Sequence, residues 1–139
     1  MKTKYIYCLL TLVSFLTLTT SCIDDDDDYD SMYNMSYDLC SYNWYDSYIN
    51  GDGLQCEQTL RFYNDGTGTD YTTIYYGDGM SDNHKTSFYW QWEGGGRYSD
   101  SSTLVLTYPN GTDYYEDVWI ENGYLSCTLN GEQISFKAL

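Results

Sequence analysis

The sequence predicts an all-β fold, a small antiparallel meander barrel of about eight strands, and three observations carry that prediction. Short segments with period-two alternation of apolar and polar residues recur along the chain, and no long stretch has helical period. Turns rich in Gly, Asn and Asp separate these segments at hairpin spacing. Aromatic side chains make up 19% of the residues and include 18 tyrosines, and such residues suit pleated, half-buried surfaces.

Taken in order, a first strand is expected near Tyr42 to Tyr48. Leu54, Cys56, Leu60 and Phe62 then alternate with Glu57, Thr59, Arg61 and Tyr63, giving an inward face broken only by Gln58. Asn64-Asp65-Gly66-Thr67-Gly68 supplies a tight turn, and the next strand runs from Thr69 to Tyr76. Gly77 to Asn83 reads as a longer loop, after which Thr86, Phe88, Trp90 and Trp92 share one face. The glycines after Glu93 end that strand, because consecutive glycines disfavour continued pairing. Leu104, Leu106 and Tyr108 mark another strand, closed by the turn Pro109-Asn110-Gly111. From Tyr114 to Ile120 two inward faces stay open, Val118 with Ile120 or Tyr115 with Trp119. Asn122-Gly123 leads to Leu125, Cys127 and Leu129, and Asn130-Gly131 leads to Ile134 and Phe136. A meander of this kind tends to close on itself, because closure removes edges that invite aggregation.

Upstream of this region, Lys2 and Lys4 precede an apolar run from Ile6 to Leu18 and a small polar exit, Thr19-Thr20-Ser21. That layout is a secretory signal, and the run is shorter than the roughly 20 residues that span hydrocarbon as a helix. Leu18-Thr19-Thr20-Ser21-Cys22 resembles a bacterial lipobox, which implies cleavage before Cys22 and a lipid on its sulfur. Asp24, Asp25, Asp26, Asp27 and Asp28 follow, and an acidic run just after a lipidated cysteine resembles the export signal of Bacteroidales-type surface lipoproteins. The run also reads as a self-repelling tether that holds the domain off the membrane. The chain is thus divided into a lipoprotein signal peptide at 1–21, a lipidated acidic tether at 22–38 and a barrel domain at 39–139. The expected location is the outer membrane, lipid-anchored and facing the cell exterior.

Once the signal is removed, Arg61, Lys85, Arg97 and Lys137 face 21 acidic side chains, a formal net charge of −17. Phosphate binding needs clustered Lys and Arg, so nucleic acid is excluded as a partner. Cys40, Cys56 and Cys127 remain in an oxidising compartment, where one disulfide is expected, with Cys56 and Cys127 the favoured pair because each lies on an apolar strand face. Three buried free thiols are the alternative.

The order of Trp44, then Leu60-Arg61-Phe62-Tyr63-Asn64-Asp65-Gly66-Thr67-Gly68, Phe88-Tyr89-Trp90, Leu104-Val105-Leu106-Thr107-Tyr108-Pro109-Asn110-Gly111 and a final Leu125 to Leu129 strand resembles the lipocalin-like domains of short lipoproteins in this export class. The resemblance spans nearly the whole folded region, implies a lipocalin-like barrel and is nearly silent on ligand.

Trp44, Trp90, Trp92 and Trp119 are the candidate ligand or recognition residues, because indole rings offer an apolar face and a polar edge. The competing role is to fill the barrel centre, since eight strands leave little interior space. Trp92 stands beside the glycine loop, where aromatics commonly serve recognition. Asp30-Ser31-Met32 resembles an acceptor for bacterial O-glycosylation at Ser31. The carboxylates of Asp65 and Asp70 flank a turn, but their spacing is not that of a calcium loop, and a plain hairpin is expected. No cofactor, metal site or catalytic arrangement is expected: the sole histidine is His84, and no Gly-x-Ser-x-Gly elbow is present. The function anticipated is therefore that of a surface-exposed lipoprotein, a non-catalytic binding module for a small hydrophobic molecule, a glycan or an envelope protein. The alternative is a structural or accessory lipoprotein with a filled barrel and no ligand.

Overall fold

The computed structural model describes residues 35–94 and 102–139. A short helix, α1, occupies 35–41. Eight strands follow: β1 (Asn43–Ile49), β2 (Gln55–Phe62), β3 (Thr67–Tyr75), β4 (Ser81–Glu93), β5 (Thr103–Tyr108), β6 (Gly111–Glu121), β7 (Tyr124–Leu129) and β8 (Glu132–Ala138). Each pairs antiparallel with the next, and β1 returns to β8, so the sheet is a closed meander barrel. Among the described residues no helix is long and apolar enough to cross a membrane.

Local chemistry explains the turns. In the β1–β2, β2–β3 and β3–β4 hairpins a carboxamide or carboxylate caps the loop: Asn50 Oδ1 accepts from the amides of Asp52 and Leu54, Asp65 Oδ1 from that of Thr67, and Asp78 Oδ1 from that of Met80. The β6–β7 and β7–β8 turns use Asn122-Gly123 and Asn130-Gly131, all four residues at positive φ between 53° and 83°, as tight two-residue hairpins require. The loop expected from Gly77 to Asn83 is shorter than the sequence suggested. Asp78 closes it within a few residues, and β4 starts at Ser81.

Inward positions sort by height in the barrel. Toward the end where β1 begins, Trp44, Leu60, Phe62, Phe88, Leu104, Leu106, Leu125 and Phe136 are almost wholly buried. Their rings interlock edge to face, Phe62 against Phe88 at 5.3 Å and against Trp90 at 5.9 Å. Gly68 makes this possible, since a Cβ there would collide with the Phe88 ring and lie 2.8 Å from the Arg61 carbonyl oxygen.

The helix α1 plugs this end. Leu39 is fully buried, the Trp44 indole donates to the Leu39 carbonyl at 2.8 Å, and the Trp92 indole donates to Ser36 Oγ at 2.8 Å. Residues 35–38 thus belong to the folded unit, whereas the sequence reading left them in the tether. The reason is that a helix of about two turns is too short for its period to stand out, and its partner Trp92 lies 56 residues away.

Two substitutions test this packing in chemical denaturation. Gly68→Ala should lower stability by about 1–3 kcal/mol, as overpacking does. Leu39→Ala should cost about 2–5 kcal/mol, as for a leucine removed from a closed core; a midpoint unchanged from that of the parent chain would show that α1 is not part of the core.

Candidate functional site

The four tryptophans divide cleanly. Trp44 is fully buried between Leu60 of β2 and Ala138 of β8. Trp90 is half-buried, and its indole donates to the carbonyls of Tyr63 and Thr67 at 3.0 Å each, clasping the β2–β3 hairpin. Trp92 is half-buried and committed to α1. Those three do structural work in the barrel interior. Trp119 alone of the four is exposed, at 61%.

Its exposure follows from a bulge. Between the pairs Glu116↔Thr128 and Trp119↔Ser126, two residues of β6 oppose the single Cys127 of β7, and Asp117 there has φ 51°. The extra residue inverts the alternation of β6. Tyr115 points inward before it and Val118 after it, at 2% and 4% exposure, while Trp119 is turned out. Neither face anticipated for this strand holds along its whole length. The sequence carries only a weak signal of the switch, an aspartate that tolerates the left-handed region.

The outer wall beside the bulge is organised in rows by strand register. Trp119, Ser126 and Ser135 line up across β6, β7 and β8, and Thr128 pairs with Gln133 one row away. Together with Asp117 they line a recess of about 470 Å³. The indole edge is held by a hydrogen bond to Glu121 Oε2 at 3.0 Å, and Ser126 and Ser135 bond to each other at 3.2 Å. The arrangement presents an exposed ring with its edge held, flanked by hydroxyl, amide and carboxylate groups.

A second recess, about 470 Å³, opens at the barrel mouth opposite α1 and is lined by Asp70, Thr86, Tyr108 and Asp113, among others. Asp70 accepts from Gln58 at 2.7 Å, Thr72 at 3.0 Å and Tyr108 at 3.2 Å. Burial, and then the neighbouring Asp70 charge, push the Asp113 carboxyl above its ordinary range. Burial likewise raises the Tyr108 and Tyr115 phenols, so both stay neutral, and Tyr108 keeps the proton it donates to Asp70.

Other expected residues fall elsewhere. Cys56 and Cys127 are buried free thiols on β2 and β7, strands separated in the barrel by β1 and β8, and Cys40 is free as well. The disulfide expected between Cys56 and Cys127 is therefore not formed here; their apolar faces put both inside the barrel without making them neighbours. Burial pushes the Cys127 thiol up to about 12. Asp65 sits at a hairpin tip, where the Thr67 hydroxyl and amide hold its carboxyl below the usual range, whereas Asp70 points into the barrel, so the two do not converge. Among the described residues no group of three or more His, Cys, Asp or Glu stands together as a metal site. Cys22, the run Asp24 to Asp28 and Ser31 lie outside the described residues.

Asp113 gives the fold a pH signature. Its folded-state pKa lies above the unfolded one, so the native state holds more protons between the two values and stability falls as pH rises through that window. Asp113→Asn should remove this slope and raise stability slightly at pH 7, by less than about 1 kcal/mol because the carboxylate is only half-buried, with a correspondingly small rise in melting temperature. Parallel melting curves of the two proteins from pH 4 to pH 7 check this.

Comparison of the chain with family models, curated proteins and solved structures finds no match in any of the three.

Proposed function

We propose that the chain is a lipid-anchored, surface-exposed lipoprotein that acts as a non-catalytic glycan-binding module, with its ligand held on the outer wall at Trp119. The observation that carries this reading is the exposed indole beside a polar recess. A pyranose ring has an apolar C–H face and a polar rim. Stacking on an aromatic face therefore suits it when hydroxyl and amide partners stand alongside, as Ser126, Ser135 and Gln133 do. A hydrophobic molecule inside the barrel is less well supported, because Trp44, Leu60, Phe62 and Phe88 already occupy the apolar half of the interior. That filled interior also fits a structural lipoprotein without a ligand, which is the competing function.

Affinity electrophoresis through gels containing a soluble neutral glucan, xylan or mannan separates the two. Retardation by one of them should weaken about tenfold in Trp119→Ala, the size of a lost aromatic contact of about 1.4 kcal/mol. Mobility unaffected by all three polymers would instead favour the structural role, and retardation that survives Trp119→Ala would remove the indole from the site.

A further inference from the structure

A different part of the wall carries an independent set of observations. On β3, β4 and β5 a recess of about 510 Å³ is flanked by Tyr63 and Tyr89, and Thr67, Thr69, Ser87 and Thr107 line it. Tyr89 is 70% exposed and Tyr63 43%. Strand register makes this a continuous outward patch, with Thr67, Tyr89 and Thr107 in one row and Arg61, Thr69 and Ser87 in the next. The Arg61 guanidinium lies 5.9 Å from the centre of the Tyr63 ring, which helps to fix that ring's orientation.

Thr69, in the lining of this recess, carries an anomaly. Among the described residues, Thr69 Oγ1 is the buried side-chain polar atom that has no hydrogen-bond partner. Buried polar groups are nearly always paired, and a turn of the Thr69 side chain about χ1 would let this unpaired hydroxyl meet one from a ligand in the recess. The ring-and-hydroxyl chemistry repeats that at Trp119 on a separate stretch of the wall, since β3–β5 and β6–β8 are successive arcs of the closed barrel.

We infer that the Tyr63–Tyr89 recess is a second carbohydrate subsite, taking an uncharged sugar ring, so that one domain engages two stretches of neutral polysaccharide. The inference rests on the glycan-binding function proposed above and extends it from one contact to two. An uncharged sugar is favoured because a chain with formal net charge −15 repels polyanions, and because the lining residues Thr67, Thr69, Ser87, Tyr89 and Thr107 are all uncharged, the neighbouring Arg61 guanidinium being engaged with the Tyr63 ring. Two weak contacts on separate stretches of the wall raise retention on a polymer through effective concentration without either contact being strong.

Isothermal titration of the full-length chain in mild detergent with neutral hexasaccharides of glucose, xylose and mannose reads the number of sites. A stoichiometry of two is expected for one of these sugars, falling to one in Tyr89→Ala and to one in Trp119→Ala. Tyr89 is exposed, so its variant should keep the parent denaturation midpoint. Thr69→Val supplies the second readout: it removes the orphan hydroxyl, so it should stabilise the fold while weakening the second site severalfold. A stoichiometry of one, lost in Trp119→Ala and untouched by Tyr89→Ala and Thr69→Val, overturns the second subsite but leaves the first. Absence of heat with every sugar overturns both.

Discussion

The fold depends on the seam where the barrel closes, and the seam depends on Trp44. Strands β1 and β8 share only the pairs Trp44↔Ala138 and Tyr45↔Lys137, whereas β1 and β2 pair along their full length. So short a ladder is a weak closure by itself. Trp44 reinforces it from inside, filling the space beneath both neighbours while its indole N–H fixes α1 across the opening. One side chain therefore joins the first strand, the last strand and the plug.

Closing the barrel around large rings has a chemical consequence for function. An eight-stranded barrel has an interior only wide enough to be filled by side chains, and here the apolar half is filled while the other half carries Asp70, Asp113, Gln58 and Thr72. The interior offers little to an apolar guest. The aromatic rings open to solvent therefore stand on the outer wall, among them Tyr63, Tyr71, Tyr89 and Trp119.

How far this was legible in the sequence varied with the length scale of the signal. The hairpins were readable, because Asp65-Gly66, Asn122-Gly123 and Asn130-Gly131 impose their geometry within four residues. The inward set Cys56, Leu60 and Phe62 was readable too, since β2 keeps one period throughout. What could not be read was whatever depends on distant partners. The helix α1 is defined by contact with Trp44 and Trp92, and the roles of the four tryptophans depend on which end of the barrel each reaches. The bulge at Asp117 broke the period of β6 partway along, so a rule that assumes one phase per strand gave two incompatible answers for Tyr115 and Val118.

That bulge also has a bearing on how the wall around Trp119 tolerates change. The outward indole and the inward Val118 are consecutive residues whose directions are set by a single irregular backbone position. Drawing Asp117 back into the ladder without removing a residue would exchange the two, sending an indole toward a core sized for valine and leaving the aliphatic chain in water, whereas deleting Asp117 would leave a regular ladder with both directions kept. The exposed residues at the recess rim, Gln133 and Ser135, carry no such backbone constraint, so the chemistry there is free to change while the barrel beneath stays fixed.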